Sequence, residues 1–308
     1  MGDAGGPGSL AHILLQVLGP IAALTGVGFV LQSRLHLDVR SLSRVVFYVL
    51  TPCLIYDSIV HLTIDAATIG RTLSFAGLYM LLMGLIALIV ARRSGYNGGL
   101  ASAFIVAAIL INDGNYGLPL NLFAFGEAGF AYAVVMFIFN NLVGNVISIF
   151  LLAHGNHGAA VALRRTLTAP VVWAMAAGFL SRATGLAPTG SFADMIQMAG
   201  RAAIPVFLLI LGMTLAQART HSQRGAITRL TALRMAGGPA LAIALTGVMG
   251  LTGLNHAVAI MQSSMPTAVN SIVLSNEFES APDFVAGAVF LTTLVSVVTL
   301  PALLLWLK

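Results

Sequence analysis

Ile111-Asn112-Asp113-Gly114-Asn115-Tyr116-Gly117-Leu118-Pro119-Leu120-Asn121 and Gln262-Ser263-Ser264-Met265-Pro266-Thr267-Ala268-Val269-Asn270-Ser271 are polar interruptions inside otherwise apolar runs. A regular helix is not expected through either stretch. Pro119 and Pro266 lack an N–H and crowd the turn before them, while Gly114 and Gly117 lower the cost of unusual dihedrals. The backbone should unwind just before Pro119, and the second stretch repeats the device. Lipid offers the freed amides no partner, so both segments must face the protein interior or a water-filled cavity, where they can bind a solute.

The surrounding composition requires lipid as the solvent. Of 308 residues, 58% are hydrophobic and only 8% charged, against roughly a quarter charged in an ordinary soluble domain. Single apolar runs approach the ~20 residues that a bilayer's hydrocarbon thickness demands of a helix. Ten runs can be delimited, at 11–31, 44–62, 70–91, 101–125, 128–153, 168–186, 196–216, 233–253, 255–276 and 283–307. The fold class expected is an all-α integral membrane protein of ten transmembrane helices. Met1 to Leu10 lacks a basic segment, so no cleavable signal peptide is expected. The single cysteine, Cys53, excludes a disulfide framework and reads as packing.

Connections between the runs are short, which leaves no room for a soluble domain. Arginine is distributed one-sidedly among them. Arg34, Arg40, Arg44, Arg92, Arg93, Arg164, Arg165, Arg219, Arg224, Arg229 and Arg234 fall in alternate loops, while Arg71, Arg182, Arg201 and Lys308 fall on the other side. Positive residues in short loops stay cytoplasmic, which puts both termini outside a multi-pass cell-membrane protein. The net charge of +5 then belongs to cytoplasmic loops, and no nucleic-acid partner is expected.

Short matches recur about 150 residues apart. Pro20, Gly28 and Phe29 of the first span match Pro170, Gly178 and Phe179 of the sixth. Leu118-Pro119 faces Met265-Pro266, and Asn140-Asn141-Leu142-Val143 faces Thr292-Thr293-Leu294-Val295. Five spans separate the copies, an odd number, so the halves have opposite orientation, the plan of many secondary transporters. The domains expected are a first repeat over 1–153, a cytoplasmic connection over 154–167 and an inverted second repeat over 168–308, with the interrupted fourth and ninth spans crossing at mid-depth.

The chemistry of the interruptions suits a carboxylate. Helix starts after a break present unpaired N–H groups and partial positive charge. Asn112, Asn115 and Asn270 add amide donors without burying a fixed cation, and Gly117, Pro119 and Pro266 shape the backbone around them. Asparagines also serve as hydrogen-bond glue between membrane helices, and that bland role competes at each position. Asp113 is the sharper candidate, since an ionisable group at the bilayer centre costs at least about 2.5–3.5 kcal/mol on insertion scales. Ionised, it would ligate sodium beside unwound carbonyls; kept neutral by burial, it would carry a proton. A permanently neutral hydrogen-bond donor is the alternative. Ser264 and Gln262 complete the ion-coupling set, and apart from sodium near Asp113 no metal or cofactor is expected.

Other polar groups are weaker candidates. Asp57 and His61, one turn apart near the outer end of the second span, read as a solvated pair. His154 and His157 lack a carboxylate or Cys companion, so they are read as loop residues. Glu277, Glu279 and Asp283 suit a helix cap before the tenth span, and Pro52 and Pro205 mark kinks.

Asn112 seven positions before Pro119 in Gly-Leu-Pro-Leu, Ser264-Met265-Pro266-Thr267-Ala268-Val269-Asn270-Ser271, and Thr299-Leu300-Pro301 together resemble the auxin efflux carrier family. The likeness runs across all ten spans and includes Thr51-Pro52 and Leu211-Gly212-Met213. The short 154–167 connection is similar to that of bacterial-type members. The resemblance implies a fold like that of bile-acid sodium symporters and sodium/proton antiporters, with a scaffold of spans 1, 2, 6 and 7 and a transport core of spans 3–5 and 8–10. It implies a small mono- or dicarboxylate substrate held at Asn112. Asp113 departs from the neutral residue expected of plant members, which speaks against carrying over a simple uniport mechanism.

Two other functions compete. An enzyme would need a nucleophile, a metal constellation or paired carboxylates at membrane depth, and no His-Glu-x-x-His, Gly-x-Ser-x-Gly or second deep carboxylate is found. A cation antiporter would share the crossed helices and use Asp113 alone. The sequence leaves the substrate, the direction of transport, the coupling ion and homodimer pairing open.

Overall fold

In the computed structural model, the structure describes residue 11, residues 13–153, residue 164, residues 167–217 and residues 223–307. His154, His157, Arg165, Arg219, Lys308 and most of the 154–167 connection lie outside the described residues. The described chain is helical, and its β-type pairing is an isolated antiparallel bridge between Ile111 and Thr267.

Twelve rods carry the fold. They are α1 Ile13–Leu35, α2 Val39–Val60 and α3 Ala66–Arg93; α4 Gly98–Ile109; α5 over 113–125 and α6 over 127–152; α7 Pro170–Thr184; α8 Ser191–Gln217 and α9 Arg224–Val248; α10 Gly253–Ser263; α11 Asn270–Glu277; and α12 Pro282–Leu307. Among the described residues, seven helical runs are long and apolar enough to cross a membrane. Ten were expected from the sequence, and the stretches that differ do so for visible reasons. The fourth and ninth spans are each divided into two short rods, α7 has only 15 residues, and the 40-residue run Asp113–Leu152 folds back at Gly126. There φ is 67°, a left-handed angle that glycine adopts without strain. Asp113 consequently meets Asn140, and Gly114 meets Phe137, across the two legs of a hairpin.

Proline shapes the rods by a consistent local rule. Four of the five π turns among the described residues, Ile13–Leu18, Val46–Leu50, Asp113–Gly117 and Leu233–Gly237, end two residues before Pro20, Pro52, Pro119 and Pro239. A proline ring clashes with the carbonyl four residues back and supplies no N–H, and widening the preceding turn relieves both faults. Pro205 and Pro301 lie inside α8 and α12. Asp38 and Asp65 cap α2 and α3 by accepting from the N–H of Arg40 and of Thr68. The Ser41 hydroxyl and the Thr68 contact, respectively, hold these two carboxyls below their ordinary range. Asp283 lies in the first turn of α12, the capping place expected of it. An exposed His61 and a half-buried Asp57 form the pair anticipated at the end of α2.

Two apolar clusters organise the molecule. Phe75, Tyr79, Phe104, Leu230, Ile260 and Phe284 join α3, α4, α9, α10 and α12. Ile55, Phe130, Val171 and Phe207 join α2, α6, α7 and α8. Lipid tails are as apolar as Leu, so close backbone approach between helices carries much of the packing. A Cβ on Gly28 would stand 2.2 Å from the Leu209 carbonyl oxygen, and one on Gly212 1.9 Å from that of Thr25, which locks α1 against α8. Gly178 against Ile59 and Gly200 against Leu54 do the same for α2 with α7 and α8. The Arg229 guanidinium donates to Tyr96 Oη at 2.9 Å, and Gly99 abuts Ser280, so the connections after α3 and α11 and the first turns of α9 gather at one end.

Candidate functional site

The two interruptions meet. Asn112 N–H donates to Pro266 O at 2.8 Å, and Ala268 N–H donates to Leu110 O at 2.9 Å. The break in the fourth span lies at 110–112, upstream of the place expected just before Pro119, and Pro119 itself sits in the first turn of the renewed helix. The reason is the π turn at Asp113–Gly117, which absorbs the proline defect without breaking the helix. Pro266, by contrast, lies in the unwound stretch between α10 and α11.

An unwound segment away from water must have its backbone groups paired, since each orphan costs about 1–3 kcal/mol. Main-chain bonds serve many of them, and neighbouring side chains serve others there and at the adjoining helix ends. Thr267 Oγ1 donates to Ala107 O at 2.9 Å, and Thr267 N–H donates to Thr292 Oγ1 at 3.2 Å. Tyr79 Oη donates to Ser263 O at 2.8 Å. Arg234 donates to Ala108 O, Ser263 O and Met265 O. Arg234 was assigned to a loop by its place in the sequence, but it is fully buried. Its position just inside an apolar span was the signal available, and counting it with the cytoplasmic cations hid it.

Asn112 and Asp113 are 3% and 5% exposed. Asn140 Nδ2 donates to Asp113 Oδ2 at 2.7 Å. Asn112 Nδ2 is buried with no partner. Gln262 is committed to the protein, donating through Nε2 to Ala133 O at 3.1 Å and accepting from Asn121 Nδ2 at 3.3 Å. Ser264 Oγ turns back to Ile260 O at 2.7 Å. Asn115 is half-buried on the π turn. Asn270 is exposed and belongs to a separate polar group: its Nδ2 donates to Asn145 Oδ1 at 2.9 Å, beside a cavity of about 170 Å³ lined also by Asn141, Phe47, Val171 and Leu274. The structure thus brings Asn112, Asp113, Gly117, Gln262 and Pro266 together at the crossing. Asn140 and Arg234 are the residues that sequence reasoning did not assign to it.

Gly117 lies where a Cβ would be 1.9 Å from Gln262 Oε1. Gly117→Ala must expel a fully buried amide from both its partners, so we expect a stability loss of about 1–3 kcal/mol. Thermal unfolding in detergent checks this, with Gln262→Ala in the Gly117→Ala background expected to recover part of the loss.

A helical membrane protein whose two interruptions cross and leave an amide donor unpaired belongs, by class, to the transport proteins. Comparison with known proteins agrees. Residues 156–304 match the family described as membrane transport protein, and an uncharacterized transporter of Methanothermobacter thermautotrophicus is 30% identical over 297 residues, with 95% of each chain covered. The chain belongs to this family, the auxin efflux carriers.

Proposed function

We propose that this chain is a secondary transporter, a symporter of small organic anions such as mono- and dicarboxylates, working by alternating access in the cell membrane with both termini outside. The observation that carries the reading is the Asn112 amide, a buried donor without a partner at the crossing of two interrupted helices. A carboxylate oxygen satisfies such a donor, and the start of α5 adds partial positive charge beside it. Asn115, Gly117, Pro119 and Pro266 shape the rest of the pocket. Asp113 supplies the ion-coupling group, and Asn270 with Asn141 and Asn145 lines an approach to it.

The same reading takes α4 with α5, and α10 with α11, as single interrupted crossings, which makes ten in two inverted halves, 1–153 and 168–308. The antiparallel pairing of Ile111 with Thr267 supports it, because it joins the corresponding interruptions of the two halves. The scaffold is then α1, α2, α7 and α8, and the remaining rods form the moving core.

Purified protein in proteoliposomes should accumulate malonate, malate or a related carboxylate under an imposed proton or sodium gradient. Asn112→Ala should weaken apparent affinity by about 1.5–3 kcal/mol, the worth of a hydrogen bond to a charged group. Full-affinity uptake by that variant removes Asn112 from the substrate site. The rival reading, a cation antiporter, rests on the buried Asp113 carboxylate, and cation exchange without any carboxylate uptake would favour it.

A further inference from the structure

Arg234 heads the largest fully buried side chains, at 0% exposure. A guanidinium cannot shed its proton in a protein, so a buried one must be held by acceptors. Its hydrogen bonds run to main-chain carbonyls. Nε donates to Met265 O at 3.1 Å, Nη1 to Ala108 O at 3.0 Å and Nη2 to Ser263 O. The Tyr79 ring lies beneath it, 5.7 Å from Cζ to the centroid, and Gly238 leaves it room: a Cβ there would be 3.4 Å from Cζ.

Those carbonyls belong to the C-terminal ends of α4 and α10, or follow directly on them. Each helix end carries about half a negative charge, so the two together balance one fixed cation. Other carbonyls of the crossing are also occupied. Leu110 O accepts from Ala268 N–H, Pro266 O from Asn112 N–H, Asn112 O from the N–H of Tyr116 and Gly117, and Ala107 O from Thr267 Oγ1. A sodium ion at this place would need several such oxygens.

We propose that Arg234 is the built-in cation of the crossing, a positioning residue that joins the two negative helix ends and makes transport independent of sodium. The inference deepens the proposed function and rests on it for its transport arm. It leaves the proton as the ion that accompanies the carboxylate.

The test pairs uptake with thermal unfolding in detergent, each with sodium chloride replaced by choline chloride. Wild-type protein should show the same midpoint and the same uptake in both salts, with a proton gradient driving accumulation and a sodium gradient not. Arg234→Ala should lose uptake, and millimolar guanidinium or sodium should raise its midpoint, whereas neither raises that of wild type. Arg234→Lys should keep part of both properties. If Arg234→Ala yields no folded protein, Arg234→Gln carries the same cation titration. Sodium-driven uptake by wild type, full activity of Arg234→Ala, or variants that no cation restores would each overturn the inference. The thermal arm needs no substrate, so failure to find a transported carboxylate would count against the transport reading alone.

Discussion

Asp113→Asn will abolish gradient-driven accumulation while leaving the protein folded. The substitution is nearly isosteric, and an asparagine oxygen can still accept from Asn140 Nδ2, which now donates to Asp113 Oδ2 at 2.7 Å. What disappears is the carboxyl that the described residues bring to the crossing, the group the proposal gives the coupling proton or ion. Carrying an ionisable side chain at this depth costs at least about 2.5–3.5 kcal/mol on insertion scales, so the variant should unfold no earlier than wild type. Counterflow of preloaded carboxylate should persist in proteoliposomes while concentrative uptake vanishes. Undiminished concentrative uptake would take Asp113 out of the coupling step.

The largest effect on folding is expected at Gly212. Its absent side chain lets α8 touch α1 backbone to backbone, and a Cβ would stand 1.9 Å from Thr25 O and 2.8 Å from Phe29 N. Main chain cannot rotate aside as a side chain can. Gly212→Val must therefore part the helices, at or beyond the upper end of the roughly 1–3 kcal/mol usual for overpacking. The folded fraction eluting as a single species in mild detergent should collapse. Gly26→Ala, on the partner helix α1 but with nothing within 4 Å of its Cβ position, should leave it unchanged. Equal behaviour of the two variants would show that the α1–α8 contact does not hold the fold.

Much of the fold was readable because lipid tolerates few arrangements. An unpaired backbone at membrane depth must be buried in protein, so Asn112, Asp113 and Pro266 announced interrupted helices that had to find partners. They found each other. Less readable was where the fourth span breaks. Pro119 looked like the culprit, yet a π turn accommodates it and the break falls at 110–112. Proline tells where an N–H is missing, but not whether the helix stops or widens. The reversal at Gly126 was readable, since the fourth and fifth runs, 101–125 and 128–153, leave only 126–127 between them, and the left-handed angle there turns the chain.

The crossing was readable in some of its polar residues and hidden in its supports. Amides at Asn112 and Asn115 stood out against an apolar background. Arg234 did not, because an arginine near the edge of an apolar run looks the same whether it reaches for water or turns inward. Its direction depends on carbonyls of α4 and α10 that come from distant parts of the chain. Gln262 and Ser264 stood out as polar, but only the fold reveals that both are bound to protein partners.

The reversal at Gly126 has a mechanical consequence. A bend made by one residue has no slack, so the leg that bears Asn112 and Asp113 cannot slide past the leg that bears Asn140. The two legs must travel as a single piece, and in the mechanism proposed above a carboxylate held at Asn112 would keep both legs as it changes sides.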